Sequence, residues 1–370
     1  MKMSLEKEFQ AQKPMGLALF IGSLPFRDHE EALEEVLRRT PHSPHWVQLP
    51  VHPSEGFLLQ FSEGLPGLRK DSHVWVQNQG EDFEREMLVF YENYLAVTEG
   101  REDLDSSLFA MSRQAAPGLY RLMEVLEPLG PVAFVKGQLS GPLSVLTGIQ
   151  DSESRRAYHD DRVREAMVRL LCLRARWQTR KLRRLGQTTL LFVDEPTLGS
   201  LGSSSLINIS PQAALEDLRE ILAAVEAEGG WPGVHVCANA DWGQLLALKE
   251  LRVLSFDAYS YFERVALFKQ EVMAFLDRGG LLAWGIVPTR GEELEKMTVE
   301  ILAEQWIQKA QWLEAGRAGL GRILESSFIT PACGLGSVEP RQAELAMDLT
   351  VQVSRRLRKE FGVEFLEPAG

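Results

Sequence analysis

Residues 190–196 read Leu190-Leu191-Phe192-Val193-Asp194-Glu195-Pro196, a short apolar run that passes directly into two acidic residues and a proline. An uninterrupted apolar run of this length, closed by a turn residue, is typical of a parallel β-strand buried on both faces. Polar side chains placed directly after such a strand lie at the carboxyl edge of the sheet, where α/β proteins bind their ligands. The stretch therefore predicts an α/β fold and the edge of the sheet that carries the site.

Seven further runs resemble this one in length and in the turn residues that bound them. In chain order they are 17–21, 46–49, 132–135, 234–237, 253–256, 281–287 and 327–330. Amphipathic segments lie between the runs, for example 211–228 and 292–316, with helix-start signals at Ser210-Pro211 and Thr289. Alternating strands and helices predict parallel βαβ units, and eight strands predict a single (β/α)8 TIM barrel over residues 1–370.

Two segments do not fit a plain barrel. Residues 53–100 contain several glycines and two prolines and then the strand-like Val74-Trp75-Val76. We predict an insertion after the second strand, with a hairpin, followed by a helix from about Asp82. The Gly/Ser-rich stretch 199–205 follows the fourth strand, and at the carboxyl rim of a barrel it is expected to act as a mobile lid.

Composition excludes several classes of function. The net charge of −12 argues against nucleic-acid binding as the main role. No apolar run reaches the roughly 18–20 residues that span a bilayer, and residues 1–14 lack a secretory h-region, so we expect a cytoplasmic protein without a membrane partner. Three cysteines and no export signal favour metal binding or catalysis over disulfides.

The basic stretch 162–184 has two possible interpretations. It is either the solvated face of a long helix or a docking face for an acidic partner protein.

The chemistry-bearing residues stand at predicted strand ends. His235 and Cys237 are two positions apart at the end of the fifth run, so their side chains point to the same side. Asp257 ends the sixth run and Cys333 follows the eighth. A neutral imidazole, two thiolates and a carboxylate make a tetrahedral zinc site, which would hold an incoming thiol as a thiolate. Cys172 is interpreted as a small buried hydrophobe.

Together with these residues, several short motifs occur in one order along nearly the whole chain. They are Ile21-Gly22-Ser23, Gly80-Glu81, Gly141-Pro142, Val193-Asp194-Glu195-Pro196, His235-Val236-Cys237, Phe256-Asp257 and Pro331-Ala332-Cys333-Gly334-Leu335. In this combination the sequence resembles the catalytic barrel of cobalamin-independent methionine synthase. The resemblance implies a methyltransferase of methionine biosynthesis in which zinc activates homocysteine.

The resemblance also implies roles for individual residues. His235, Cys237 and Cys333 correspond to zinc ligands, and Asp257 stands where the family usually has a glutamate. Ile21, Ser23, Glu81 and Asp194 correspond to substrate-binding residues, with Asp194 and Glu195 as the catalytic pair.

The methyl donor follows from what the resemblance covers. The chain matches only the catalytic half of full-length members, and short members of this kind resemble enzymes that take the methyl group from a corrinoid protein. Alternatives that stay open are transfer to another thiol and a metal-dependent binding barrel without turnover. Two minor features are open as well: Trp242 and Trp284 either stack on a flat cofactor or pack in the core, and turn 334–337 either binds phosphate or only closes a turn.

Overall fold

The computed structural model describes residues 13–71 and 73–363. The strands are β1 (Leu68–Lys70), β2 (Val74–Val76), β3 (Val132–Ser140), β4 (Gln150–Asp151), β5 (Gly186–Asp194), β6 (Trp231–Val236), β7 (Val253–Phe256), β8 (Leu281–Val287) and β9 (Ser327–Pro331). The α-helices are α1 (His29–Arg39), α2 (Glu81–Thr98), α3 (Pro117–Leu126), α4 (Pro142–Gly148), α5 (Asp161–Leu182), α6 (Pro211–Ala227), α7 (Trp242–Leu246), α8 (Phe262–Ala266), α9 (Lys269–Asp277), α10 (Gly291–Glu295), α11 (Val299–Leu313), α12 (Arg317–Glu325) and α13 (Pro340–Phe361).

The main sheet has six parallel strands in the order β3-β5-β6-β7-β8-β9. The α/β class is therefore confirmed, and so are six of the predicted runs as neighbouring parallel strands. Runs 17–21 and 46–49 are connected to the sheet by isolated parallel bridges rather than by full ladders. These bridges join Ala18 to Ile329, Ser23 to Gln48, and His45 to Lys136.

Successive side chains along each strand point to opposite faces of this sheet. One face buries a small apolar cluster in which Leu19, Phe134, Leu190, Phe192 and Phe328 pack together. The opposite face packs under the helices in a much larger core. Because side chains alternate along a strand, the face that carries Phe192 also carries the side chain two residues further on, at the carboxyl edge.

The insertion has the predicted parts. β1 pairs antiparallel with β2, and β2 pairs in parallel with β4 to make a second, three-stranded sheet. α2 begins at Glu81, one residue before the predicted start at Asp82. Helix α6 also begins as predicted, because the Ser210 hydroxyl accepts a hydrogen bond from the Ala213 N–H at 3.3 Å.

One predicted helix is two helices in the structure. Segment 292–316 is divided between α10 and α11. Thr298 begins the longer one, since its hydroxyl accepts the Ile301 N–H at 3.3 Å, whereas Thr289 lies before Arg290, the N-cap position of α10. A threonine that competes for a backbone N–H in this way interrupts the preceding helix and starts a new one.

The basic stretch forms α5, and its charges are paired within the chain. Arg164 binds Asp217 of α6 through both carboxylate oxygens, at 2.7 and 2.9 Å. Arg176 and Arg180 both bind Glu228, directly after α6. Much of this positive charge therefore holds α5 against α6.

Two further expectations concern packing near the rim. Trp242 and Trp284 are fully buried and make edge or tilted contacts with Phe256, so both belong to the core and the cofactor-stacking alternative is wrong. The stretch 199–205 contains short 3-10 turns rather than open loop, and the Gly199 backbone packs against the segment after β6.

None of the helices in the described residues combines the length and apolar character needed to cross a membrane.

Candidate metal centre

The carboxyl ends of neighbouring strands bring the candidate residues together. Asp194 is the last residue of β5 and pairs in register with His235 of β6. His235 in turn pairs with Ser255 of β7. Cys237 follows β6, and Cys333 follows β9 two residues after the strand ends. The sheet therefore aligns one imidazole and two thiols along a single edge.

These three side chains form a compact set of metal donors. One ligand atom each from His235, Cys237 and Cys333 lies within 4.8 Å of the others. The His235 Nδ1 atom is 2.9 Å from the Ser255 hydroxyl, which fixes the ring. The Nε2 atom is buried, and no group among residues 13–71 and 73–363 hydrogen-bonds to it. Buried polar atoms rarely stay unpartnered, and an imidazole nitrogen beside two thiols fits a zinc ion.

The two thiols influence each other's protonation. A hydrogen bond from Cys237 stabilises the Cys333 thiolate, and nearby His235 adds to this, so the pKa of Cys333 falls to about 4. The same hydrogen bond, together with burial, raises the pKa of Cys237. Of the two thiols, Cys333 is therefore the one that ionises more readily, and the thiolate is the form that ligates zinc.

Asp257 lies near these donors without belonging to the set. Its Oδ1 atom accepts the Ser260 N–H at 2.7 Å, and burial raises the pKa of its carboxyl group. Its predicted role as the fourth zinc ligand stays a prediction.

A cavity of about 270 Å³ opens at this edge and is lined by both thiols and the imidazole. Three further predicted residues, Ile21, Ser23 and Asp194, also line it. The remaining lining residues are Gln48, Pro50, Glu55, Phe57, Pro196, Arg290, Gly334, Gly336 and Ser337. The cavity is thus lined by the three candidate metal donors and by loops that follow the strands.

Asp194 is the buried carboxylate of this cavity. Its Oδ1 atom has no hydrogen-bond partner among the described residues. Burial raises its pKa to about 6, against the attraction of His235 and Lys136. Lys136 lies fully buried on β3, where burial lowers its pKa to about 8. An acid and a base with displaced pKa values beside a cleft are typical of a catalytic site.

Ser23 joins the first extended segment to the turn after β9. Its hydroxyl accepts the Gly336 N–H at 3.2 Å, and its carbonyl accepts the Leu335 N–H at 2.9 Å. The turn 334–337 thus forms part of the cavity wall, and two of its backbone N–H groups are already bonded to Ser23.

Two residues that were predicted to belong to the site, Glu195 and Glu81, do not line the cavity. The Glu195 carboxylate accepts the N–H groups of Leu143 and Ser144, both at 2.9 Å, and the Ser144 hydroxyl at 2.5 Å. It therefore caps the start of α4 and does not line the cavity. Glu81 is an exposed residue at the start of α2 and does not line the cavity either.

Sequence reasoning missed two charged residues of the cavity wall. Arg290 follows β8 and donates a hydrogen bond to Ser337 at 2.7 Å. Glu55 is buried after the second apolar run. Arg290 could have been found, since it follows a predicted strand just as Asp194 and Cys333 do.

The comparisons with known proteins identify the fold. No protein-family model and no curated protein matches the sequence. A solved methyltransferase from Methanosarcina mazei has a TM-score of 0.58 at 12% identity, over 95% of each chain. A candidate vitamin-B12-independent methionine synthase from Listeria monocytogenes has a TM-score of 0.51 at 13% identity, over 90% of this chain and 85% of the other. The protein therefore shares the fold of these two structures.

Proposed function

We propose that the protein is a zinc-dependent methyltransferase whose acceptor is a thiol such as homocysteine and whose donor is a methylcorrinoid. The observation that carries the proposal is the set of donors His235, Cys237 and Cys333 at the base of a cavity. The methyltransferase fold of the two similar structures supports it. We also infer that segments 17–21 and 46–49 serve as the first two strands of an eight-stranded barrel.

His235, Cys237 and Cys333 would hold the ion, with Ser255 keeping the imidazole oriented. Zinc held by these residues would lower the pKa of a coordinated thiol and so favour its thiolate form at neutral pH. Asp257 is proposed as the displaceable fourth ligand. A carboxylate is a harder ligand than a thiolate, and an incoming thiol can therefore replace it.

The reaction is a direct transfer. The acceptor thiol gives its proton to Oδ1 of Asp194, the buried oxygen that lacks a partner. The resulting sulfur lone pair forms the new bond to the methyl carbon, while the carbon–donor bond breaks and the donor leaves with that electron pair. Orientation of the two reactants supplies much of the acceleration, and no covalent intermediate with the protein is needed.

Arg290 gives the cavity a preference among thiols. It is the one lining residue with a permanent positive charge, and Ser337 holds it at the wall. A hydrogen bond to a charged group contributes about 1.5–3 kcal/mol. Acceptors that carry an acidic group, as homocysteine does, should therefore bind better than neutral thiols.

The first test is methyl transfer from methylcobalamin to homocysteine by the purified protein, with zinc content measured alongside. Cys237→Ser and Cys333→Ser should lose tight zinc retention and turnover, because each removes a donor at the cavity base. Cys172→Ser is the matched control, since Cys172 lies on α5 and outside the donor set. Equal zinc loss from all three variants would refute the assignment of the metal site. Zinc binding without turnover on any thiol would favour a binding barrel.

The identity of the methyl donor is tested by comparing turnover with different donors. A methylated corrinoid protein, or free methylcobalamin, should support turnover, and methyltetrahydrofolate should be a poor donor. Turnover with the folate and none with any methylcorrinoid would overturn the donor assignment and leave the zinc–thiol mechanism in place.

A further inference from the structure

A second set of metal donors lies beside the cavity. His29, His52 and Glu55 each place one ligand atom within 4.8 Å of the other two. Glu55 is buried and also lines the cavity described above, whereas the two histidines are partly exposed. None of the three has a role in the proposed thiol chemistry.

Hydrogen bonds fix two of these donors in the way that metal ligands are usually fixed. The Nε2 atom of His52 lies 3.0 Å from the carbonyl oxygen of Arg27, so this nitrogen carries the proton and Nδ1 keeps its lone pair. One oxygen of Glu55 accepts the Leu49 N–H at 2.9 Å. Metal-ligating histidines typically donate their second ring N–H to a carbonyl, and ligating carboxylates are themselves hydrogen-bonded.

The third donor completes the set. The Nε2 atom of His29 is 2.8 Å from the second carboxylate oxygen of Glu55, the one that does not accept the Leu49 N–H. The His29 and His52 rings stack with their centroids 5.4 Å apart. A hydrogen bond between His29 and Glu55 accounts for two of the residues. It does not account for His52, one ring nitrogen of which also lies within 4.8 Å of the other two ligand atoms.

We propose that His29, His52 and Glu55 bind a second divalent cation at the edge of the cavity. Two imidazoles and one carboxylate suit zinc and the neighbouring transition metals, with a coordination position left open. For His29 Nε2 to offer its lone pair to the ion, the proton it shares with Glu55 would move to Nδ1 of a neutral ring or leave an imidazolium for solvent.

Cobalt(II) distinguishes this site from the thiol site, because only cysteine ligands give strong sulfur-to-metal charge-transfer absorption. The Cys237→Ser/Cys333→Ser variant serves as background. It should still bind about one Co²⁺ or Zn²⁺ per chain, now without the charge-transfer bands. Adding His52→Ala should weaken this binding at least about tenfold, because loss of even a hydrogen-bond partner of a ligand typically costs about 10–100-fold. Adding Glu55→Gln, which keeps an oxygen for the Leu49 N–H, should weaken it as well.

The matched control is His159→Ala in the same background, since His159 is an exposed histidine outside both donor sets. That variant should retain the metal. Circular dichroism shows whether each variant is folded. The proposal is overturned if the folded background variant binds no metal, or if its metal is insensitive to His52→Ala and Glu55→Gln. Neither result bears on the zinc–thiol mechanism, which is tested by the cysteine variants alone.

Discussion

Ser255 is the residue that orients the imidazole of the metal centre. Its hydroxyl lies 2.9 Å from Nδ1 of His235, so Nε2 is presented to the thiols. Loss of such an outer hydrogen bond typically weakens metal binding about 10–100-fold. We expect Ser255→Ala to lower zinc affinity by that factor, measured by competition with a chromogenic chelator. Ser327→Ala removes a buried strand serine that bonds elsewhere and should leave affinity unchanged. Equal weakening by the two changes would contradict the role of Ser255.

Glu195 makes the stability of the fold depend on pH. Burial outweighs its three hydrogen bonds and raises its pKa from 4.5 to about 7. The folded state thus binds this proton more tightly than the unfolded state does. The resulting stabilisation is complete below pH 4.5 and is lost as pH rises through about 7.

The test compares urea unfolding of wild type and Glu195→Gln at several pH values. From about pH 5 to pH 8, wild type should lose about 2 kcal/mol of unfolding free energy relative to the variant. Glu216→Gln, an exposed change on α6, should follow wild type. A constant difference between wild type and Glu195→Gln would mean that the pKa of Glu195 is not raised.

For single residues, the sequence correctly predicted which side chains share a face, but it did not distinguish Asp194, which lines the cavity, from its neighbour Glu195, which does not. His235 and Cys237 are two positions apart, and the structure brings both to the cavity as predicted. Asp194 and Glu195 are adjacent, so their side chains diverge at the end of the strand. One lines the cavity and the other caps α4. A motif of adjacent acids shows that charge is present but not which residue faces the ligand.

Helix α4 depends on a glycine at its start. A Cβ atom added to Gly141 would lie 2.1 Å from the Glu195 carboxylate oxygen that accepts the Leu143 N–H. Gly141→Ala should displace this carboxyl group and leave it buried without its partners, which typically costs about 1–3 kcal/mol for a group that loses its hydrogen bonds. Chemical denaturation measures the loss. Gly321→Ala is the control, since its Cβ would enter open space on α12. Stability equal to wild type would show that α4 begins without the Glu195 cap.

Packing between elements explains why the sequence left two interpretations of the basic stretch 162–184 open, a solvated helix face and a docking face. Charge along 162–184 identifies a helix rich in arginine, but its partners on and after α6 are distant in sequence. Asp217 and Glu228 become neighbours only when α5 and α6 pack together. Periodicity within one segment cannot show such a pairing. Docking of an acidic partner protein by this helix stays a prediction, and it would have to use charge that these carboxylates leave free.

In the whole molecule, sequence periodicity was most informative where the strands are long and fully buried. The six runs that form ladders include β3, β5 and β8, whose apolar residues lie between the inner cluster and the helices. Runs 17–21 and 46–49 have the same apolar character but make only isolated bridges. Burial determines whether a run is apolar. Formation of a hydrogen-bonded ladder depends instead on how far two backbones stay parallel, and the amino-acid composition of a run does not predict this.

Zinc should stabilise the whole fold, because its proposed ligands join strand ends that are far apart in the chain. His235 and Cys237 belong to the end of β6 and Cys333 follows β9, with β7 and β8 between them in the sheet. An ion that binds only the folded state adds about 2.7 kcal/mol when its free concentration is 100 times the Kd. Calorimetry should therefore show a Tm several degrees higher with zinc than after chelation. Cys333→Ser should lose most of this shift, whereas Cys172→Ser should keep it. If chelation removes zinc and the Tm of wild type is unchanged, the metal does not connect these strands.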